Sequence, residues 1–256
     1  MRVLAKRYLD MADVDRSVLD RLAGGLIVSC QAREGHPLHN SRIIAALARA
    51  AEAGGAVGVR INGEGDVAAV REFVTVPIIG IRKTWVEDFP VYITPTFDDA
   101  AVVAAAGADV IALDATARER PGGESIEELI PRIHRELGRP VMADVSTVKE
   151  GERAAALGAD LVATTLSGYT VGTPPDDPDL ELVHRLARSL SVPVVAEGRY
   201  RTPDQVRAAF QAGAFAVVVG RAITDALAIT RSFVEATPRA HDTEGPPGMG
   251  TRGPGR

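Results

Sequence analysis

The chain has 256 residues, of which 46% are hydrophobic and 25% charged, a balance typical of a soluble globular protein. Its formal net charge of −5 argues against a nucleic-acid partner, because binding a polyanion needs a concentrated excess of Lys and Arg. The single cysteine, Cys30, permits no intrachain disulfide, and no apolar run approaches the roughly 20 residues of a membrane span. We therefore expect a cytoplasmic protein that does not bind membranes.

From residue 26 onward, short apolar runs alternate with longer helical patterns, as in parallel βαβ units. Nine runs are strand candidates: Leu26–Gln31, Val57–Ile61, Pro77–Ile81, Val91–Thr94, Val110–Asp114, Val141–Val145, Leu161–Thr165, Val194–Glu197 and Ala216–Gly220. Nine is one more than a (β/α)₈ barrel needs.

The residues that precede the strands indicate which candidate to omit. Two residue types alternate there, glycine at Gly55, Gly107, Gly158 and Gly213 and proline at Pro77, Pro140 and Pro193. A left-handed Gly closes a helix, and a rigid Pro ends the following loop. The alternation is strict only if Val91–Thr94 lies within the connection after the third strand. The sequence thus predicts an α/β fold, a single-domain TIM barrel of eight strands.

Helix starts and chain ends complete the predicted layout. Ser125 with Glu128 and Thr147 with Glu150 fit capping boxes, and Thr202 precedes a proline at the first helical position. Residues 1–24 are predicted to form a short helical extension that buries Leu19 and Leu22. Residues 25–236 form the catalytic barrel, and residues 237–256, rich in Pro, Gly and charge, form a disordered tail.

Polar residues and glycines collect at the C-terminal ends of the predicted strands. They are Ser29, Gln31, Arg60, Arg82, Lys83, Asp114, Asp144, Thr164, Thr165, Glu197, Arg199, Gly220 and Arg221. These ends converge on the active site of a TIM barrel. Strand ends are also where chains meet solvent, but carboxylates directly after apolar runs are costly to bury without partners. The pattern favours an active site on this rim.

Lys83 and Glu197 each have two interpretations. Lys83 is either a solvated lysine or a desolvated amine that serves as a general base or Schiff-base former, and Arg60 nearby would favour its neutral form. Glu197 is either the ion-pair partner of a rim arginine or an acid–base group. Gly198 and Gly220 follow the last two strands, where barrels commonly bind phosphate, although each could serve only a turn.

No metal or other cofactor is predicted. None of the five histidines lies at a strand end, and His36 and His39 fit a solvated loop better than a metal site. Cys30 on the first strand is interpreted as a packed core thiol rather than a nucleophile.

Seven segments together resemble the bacterial N-acetylmannosamine-6-phosphate 2-epimerases. They are Leu26-Ile27-Val28-Ser29-Cys30-Gln31-Ala32, Pro77-Ile78-Ile79-Gly80-Ile81, Tyr92-Ile93-Thr94-Pro95-Thr96, Ala112-Leu113-Asp114-Ala115-Thr116, Met142-Ala143-Asp144, Thr164-Thr165-Leu166-Ser167-Gly168-Tyr169-Thr170 and Ala196-Glu197-Gly198-Arg199. The resemblance covers roughly Gly25 to Ala236, in the same order.

The resemblance implies a cofactor-independent C2 epimerisation of N-acetylmannosamine 6-phosphate to N-acetylglucosamine 6-phosphate, in sialic-acid and amino-sugar catabolism. It implies Lys83 and Glu197 as the catalytic residues, and it maps Arg60 and Gln31 onto family residues. The expected binding residues are Gln31, Arg60, Asp114, Asp144, Thr165 and Arg199 for the sugar, and Gly198, Gly220 and Arg221 for the phosphate.

One segment departs from the family pattern. The family commonly has Gly-Gly-Ala-Ile-Thr-Arg after the eighth strand, whereas this chain has Gly220-Arg221-Ala222-Ile223-Thr224-Asp225. Asp225 replaces an arginine expected near the phosphate, and Arg221 is our candidate for supplying the lost charge.

Other functions fit parts of the pattern. A Schiff-base lyase or synthase would use Lys83 as a covalent nucleophile, and a related phosphosugar isomerase would use the same rim. A metal-dependent pentose-phosphate epimerase lacks rim histidines, and a non-catalytic phosphosugar-binding protein would need no acid–base pair. The sequence is compatible with a homodimer.

Overall fold

The computed structural model describes residues 14–171 and 174–238. Eight parallel strands pair in chain order and close on themselves, with β1 bonded to both β2 and β8. The strands are β1 Leu26–Cys30, β2 Gly58–Asn62, β3 Ile78–Ile81, β4 Val110–Asp114, β5 Val141–Asp144, β6 Leu161–Ala163, β7 Val194–Glu197 and β8 Ala216–Val219. The predicted TIM barrel is confirmed.

Helices follow the strands around the outside of the barrel. In chain order they are α1 Ser17–Asp20, α2 Ser41–Ala53, α3 Glu64–Arg71, α4 Phe97–Ala105, α5 Ile126–Arg132, α6 Val148–Ala156, α7 Leu180–Ser189, α8 Pro203–Gln211, α9 Arg221–Thr224 and α10 Ala226–Glu235. A π-helical turn, Ile133–Leu137, continues α5. Within the described residues, no helix is long and apolar enough to cross a membrane.

The ninth strand candidate, Val91–Thr94, lies outside the barrel as predicted. It folds back on the end of the third strand through an antiparallel bridge between Ile93 and Lys83. The helix-closing glycines are also confirmed, because φ is 94° at Gly55, 107° at Gly107, 98° at Gly158 and 104° at Gly213. Only glycine adopts such angles without strain.

The alternation of side chains along each strand separates two apolar layers. One layer lies between the strands and helices and includes Val59, Ile61 and Cys30. The other fills the barrel interior and includes Ile79, Met142 and Val195. Cys30 is fully buried, and burial raises the pKa of its thiol to about 12. The core-thiol interpretation is confirmed.

The N-terminal segment closes the barrel interior from below. Leu19 and Leu22 are buried and belong to the interior apolar layer, as predicted. Arg16 Nε reinforces this docking by donating to Asp160 Oδ1 at 2.6 Å. The extension is described only from Val14, and the predicted tail lies outside the described residues beyond residue 238. The boundaries at residues 24 and 236 stay predictions.

Two of the three predicted helix caps are confirmed. Capping boxes join Thr147 to Glu150 and Thr202 to Gln205. Ser125 is at the predicted N-cap position, but the prediction of a capping box there is wrong, because its side chain makes no capping bond. The Ser125 carbonyl instead accepts the Glu128 and Leu129 amides, at 3.1 and 2.9 Å, so the amide that a capping hydroxyl would take is already bonded.

Candidate active site

The pleat of the barrel strands points one set of polar residues inward at the upper rim. Side chains alternate between the two faces of a strand. The interior apolar residues Ile79, Met142 and Val195 therefore show which residues of their strands face the barrel axis. Counting by twos from these interior positions reaches the rim on every strand. The positions reached are Gln31, Arg60, Asn62, Lys83, Asp114, Asp144, Thr165, Glu197 and Gly220.

Arg60 lies at the centre of this inward-facing set. Its side chain is 1% exposed. Its Nη2 donates to Asp144 Oδ2 at 2.5 Å, and its Nη1 donates to Glu197 Oε2 at 2.5 Å and to Asp144 Oδ1 at 3.1 Å. One guanidinium thus pairs with carboxylates from two other strands, which offsets part of the cost of burying the three groups.

Two consecutive threonines after β6 complete the network. Thr165 Oγ1 lies 2.7 Å from Asp144 Oδ1 and 3.1 Å from Glu197 Oε2, so its proton can serve either carboxylate. Thr164 Oγ1 donates to the backbone carbonyl of Glu197 at 2.9 Å and accepts its N–H at 3.0 Å. The β6 end therefore fixes both the backbone and the carboxylate of Glu197.

Lys83 is partly buried beside this network. Burial, followed by the charge of Arg60, lowers the pKa of its amine from 10.5 to about 8, while Glu197 opposes the shift. A neutral amine is then accessible near physiological pH. Partial burial and the nearby charge of Arg60 both favour the desolvated-amine interpretation of Lys83 over the solvated one.

Glu197 is the second perturbed group of the network. Its side chain is 14% exposed, and burial raises the pKa of its carboxyl group. Arg60 and Lys83 oppose that shift, whereas Asp144 adds to it. Glu197 is therefore both the ion-pair partner of a rim arginine and a carboxyl group that holds a proton more readily than usual. Lys83 and Glu197 each respond to the other's charge and to that of Arg60.

A cavity of about 690 Å³ opens beside Lys83 between the first loop and the last helix. Its lining includes Gln31, Asn62, Lys83, Trp85, Arg221 and Asp225. Neither Glu197 nor Arg60 is part of this lining, so Lys83 faces the cavity while Glu197 is bonded within the Arg60 network. Gln31 Nε2 donates to Ser29 Oγ at 2.8 Å, while its Oε1 is buried with no partner among the described residues.

Asp114 and Arg199 make other contacts. Asp114 is fully buried and accepts bonds from the N–H and hydroxyl of Thr116, at 2.9 and 2.7 Å, and from Arg118 at 2.6 Å. Arg199 donates to the carbonyls of Ser167 and Asp177, at 2.5 and 2.7 Å. The structure thus engages Asp114 with its own loop and Arg199 with the loop after β6.

The predicted phosphate residues lie at the last two strand ends. Gly198 has φ of 113°, a left-handed conformation that disfavours any side chain. Gly220 is the N-cap residue of α9. The Arg221 side chain is 77% exposed and lies on the cavity lining.

Asp225, which departs from the family pattern, has a defined structural role. Its Oδ1 accepts the Ala228 N–H at 2.9 Å and caps α10. The same oxygen lies 3.3 Å from Nε2 of His36. His36 was expected to be a solvated loop residue, but it is partly buried and lines the cavity with Asp225.

Asn62 is the site residue that sequence reasoning missed. Its Oδ1 accepts the backbone N–H of Lys83 at 2.8 Å, and its side chain lines the cavity. The available signal was its spacing, two residues beyond Arg60 on the same strand. Among the described residues, no three His, Cys, Asp or Glu side chains are grouped to hold a metal ion.

Comparisons with known proteins cover most of the barrel. The family described as "Putative N-acetylmannosamine-6-phosphate epimerase" matches residues 44–239. Proteins named "Putative N-acetylmannosamine-6-phosphate 2-epimerase" are similar to the chain. The one from Caldanaerobacter subterraneus is 49% identical over 219 residues, covering 85% of this chain and 92% of that protein. The one from Thermosynechococcus vestitus is 53% identical over 207 residues, covering 80% and 89%.

A solved structure agrees with these matches. The N-acetylmannosamine-6-phosphate 2-epimerase from Clostridium perfringens superposes with a TM-score of 0.83 at 43% identity. The superposition covers 86% of this chain and 96% of that one. The similarity therefore extends from sequence to the whole barrel.

Proposed function

Because the chain belongs to the N-acetylmannosamine-6-phosphate epimerase family, we propose that it interconverts N-acetylmannosamine 6-phosphate and N-acetylglucosamine 6-phosphate by proton transfer at C2. The observation that supports the mechanism is that Glu197 is bonded to buried Arg60 and that Lys83 lies near enough for the charges of both to act on its amine. A depressed amine pKa and a raised carboxyl pKa bring the two groups toward a common range, as a pair that exchanges roles in the two directions requires.

The chemistry begins with ring opening. The C2 hydrogen is not acidic in the closed sugar, so the ring must open to give the C1 aldehyde, which acidifies C2. Glu197 assists the opening. Lys83 and Glu197 then transfer one proton each, one removing the C2 hydrogen and the other returning a proton to the opposite face. No redox cofactor is needed, because the substrate's own carbonyl activates the carbon.

The enolate that forms on proton removal needs hydrogen-bond donors at its C1 oxygen. Arg60 and Gln31 are our candidates for this role, since a preorganised donor contributes on the order of 3 kcal/mol. Arg60 Nε is buried with no partner among the described residues, as is Gln31 Oε1. The free N–H of Arg60 Nε is thus left to donate to a bound molecule, whereas the free Gln31 oxygen can only accept. Gln31 would donate through the second hydrogen of its Nε2, whose first is bonded to Ser29 Oγ. Asp144 and Thr165 hold Arg60 and Glu197 in place for this step.

The phosphate is proposed to bind at Gly198, Gly220 and Arg221. Asp225 leaves this end of the cavity with an added negative charge, which Arg221 offsets. Substituting Arg221→Ala should raise KM for the phosphorylated sugar about tenfold and leave kcat nearly unchanged, because the lost contact is the same in ground and transition states. An unchanged KM would remove Arg221 from the phosphate site.

The last helix supports a homodimer. Phe233 and Val234 on α10 are 73% and 52% exposed, and large exposed apolar side chains commonly mark protein interfaces. Sedimentation equilibrium should give twice the chain mass of 27.0 kDa. A monomer at micromolar concentration would contradict the dimer.

The buried lone thiol and the acidic net charge support a cytoplasmic location without a nucleic-acid partner.

An NMR time course of the purified protein with N-acetylmannosamine, with and without its 6-phosphate, tests the proposed reaction. We expect signals of the 2-epimer to appear with the phosphorylated sugar and to approach an equilibrium mixture. Borohydride added during turnover should leave the mass of the protein unchanged, whereas a Schiff base on Lys83 would be trapped as an adduct. No epimer from either sugar would overturn the proposal.

A further inference from the structure

Asn62 makes an unusual contact with the backbone of Lys83. The β2–β3 ladder ends with Asn62 opposite Ile81, and Gly63 N–H donates to the Ile81 carbonyl at 2.8 Å. Lys83 lies two residues beyond the end of that ladder. Its N–H donates instead to Oδ1 of Asn62, at 2.8 Å. A side-chain amide therefore replaces the strand partner that the sheet no longer provides.

The other contacts of this backbone belong to the connection that follows β3. Lys83 is bridged to Ile93, Thr84 N–H donates to the Tyr92 carbonyl at 2.9 Å, and Thr94 N–H donates to the Arg82 carbonyl at 2.7 Å. These bonds tie the lysine to a loop. The Asn62 bond ties it to the barrel wall, the more rigid of the two.

Strand β2 thus acts on Lys83 twice. Arg60 and Asn62 are two residues apart and project from the same face of the strand. Arg60 lowers the pKa of the lysine amine, and Asn62 fixes the backbone from which that amine extends. A lysine side chain has four rotatable bonds, so its reach depends on where its backbone is held.

The neutral charge of Asn62 matters as much as its hydrogen bond. Because a backbone N–H can only donate, the amide oxygen of Asn62 must face Lys83. An aspartate could accept the same bond, but it would add a negative charge to a surrounding that already holds Arg60, Arg33, Glu197 and Asp144. The added charge would favour the ammonium form of Lys83.

We propose that Asn62 is a positioning residue for the epimerisation, one that holds Lys83 at the reacting carbon through its backbone without adding charge. The proposal rests on the proposed function, since it assigns Asn62 a role in that reaction.

Two substitutions separate the hydrogen bond from the charge. Asn62→Leu removes the acceptor at similar volume, and Asn62→Asp keeps the acceptor and adds a charge. Asn40→Asp is the matched control. Asn40 caps α2 by accepting the Arg42 N–H at 2.9 Å, and aspartate caps equally well. Circular dichroism of each variant would verify the fold, and kcat, KM and the pH profile would be measured.

We expect Asn62→Leu to lower kcat by about 10- to 100-fold with KM changed less than threefold, because misplacement of a reacting group by about 1 Å has effects of this size. Asn62→Asp should keep kcat within about tenfold at its optimum and move the alkaline limb of the profile up by about one pH unit. Asn40→Asp should change neither. A kcat of Asn62→Leu within twofold of wild type, or an unmoved alkaline limb in Asn62→Asp, would overturn the proposal.

A substrate-free measurement separates this proposal from the proposed function. The rate of acetylation of Lys83 by acetic anhydride, followed by peptide mass spectrometry against pH with Lys149 as internal reference, gives the amine pKa directly. We expect a higher value in Asn62→Asp than in wild type. A wild type that fails to epimerise overturns the proposed function, whereas an unchanged labelling profile in Asn62→Asp overturns the role of Asn62.

Discussion

At Lys83 the burial that lowers the amine pKa also destabilises the folded state at neutral pH. The folded-state pKa of about 8 is below the ordinary 10.5, so the unfolded chain binds the proton more tightly. The penalty is fully present below pH 8 and disappears as the pH rises toward 10.5. One pKa unit corresponds to about 1.4 kcal/mol, and partial exposure reduces the total to about 1–3 kcal/mol.

Replacing Lys83 with Met should therefore raise the free energy of unfolding at pH 7 by about 1–2 kcal/mol while abolishing activity. The gain should shrink between pH 8 and 10.5. Urea unfolding at several pH values would measure it, with the exposed Lys149→Met as control, for which we expect a change within about 0.5 kcal/mol. A Lys83→Met variant less stable than wild type at pH 7 would show that the amine is well solvated.

The pH dependence of kcat/KM should follow the proton count of the Lys83–Glu197 pair. In the proposed mechanism one group gives a proton and the other takes one in either direction, so the active enzyme would carry a single proton on the pair. The rate should fall above about pH 8, where Lys83 loses its proton, and on the acid side at a pH above the ordinary range of a glutamate. Glu197→Gln should remove the acid limb together with most of the activity. A rate that keeps rising from pH 8 to 10 would contradict this assignment.

Among the secondary-structure elements, the helix starts show which capping contacts a sequence pattern predicts and which it does not. Thr147 and Thr202 form the predicted caps because their side chains meet a free amide in the first turn. Ser125 has the same spacing, yet the backbone carbonyl takes that amide. Which oxygen of a residue closes the first turn depends on the path of the incoming chain, and a spacing rule does not contain that path.

The difference between these caps has a measurable consequence. Thr147→Ala should lower the free energy of unfolding by about 1 kcal/mol, since it removes a side-chain cap, whereas Ser125→Ala should change it by less than about 0.5 kcal/mol. Thermal or urea unfolding of the two variants side by side would compare them. Equal losses would mean that the Ser125 hydroxyl also caps its helix.

The strand order was predictable because glycine and proline mark the strand starts in strict alternation. That pattern excluded Val91–Thr94, which folds back onto Lys83 through the Ile93 bridge. It could not show that this excluded segment would bond to the backbone of Lys83 from one side while Asn62 bonded to it from the other. A contact between a side chain and a distant backbone group produces no repeating pattern of residue types, so it cannot be predicted from the spacing of residues.

Across the whole molecule, the barrel geometry explains why the sequence predicts which residues lie at the rim but does not predict which of them bond to one another. Arg60, Asp144 and Glu197 face inward at the same rim of the barrel, as their positions at the C-terminal ends of the predicted strands indicated. The pairing of both carboxylates with one guanidinium depends on the closure of the barrel, which sets distances across its axis. Asp114 differs from these residues. Its position on the strand faces it inward, as predicted, but Thr116 and Arg118 in the loop that follows donate to its carboxylate.

We propose that an amine and a carboxyl group move a hydrogen at C2 of the opened sugar. The most direct measurement is the conversion of N-acetylmannosamine 6-phosphate by the protein in deuterated water, with the product analysed by NMR and mass spectrometry. We expect one deuterium, located at C2 of the N-acetylglucosamine 6-phosphate formed. Product that retains its original C2 hydrogen without deuterium would contradict proton exchange at that carbon, and with it the roles of Lys83 and Glu197.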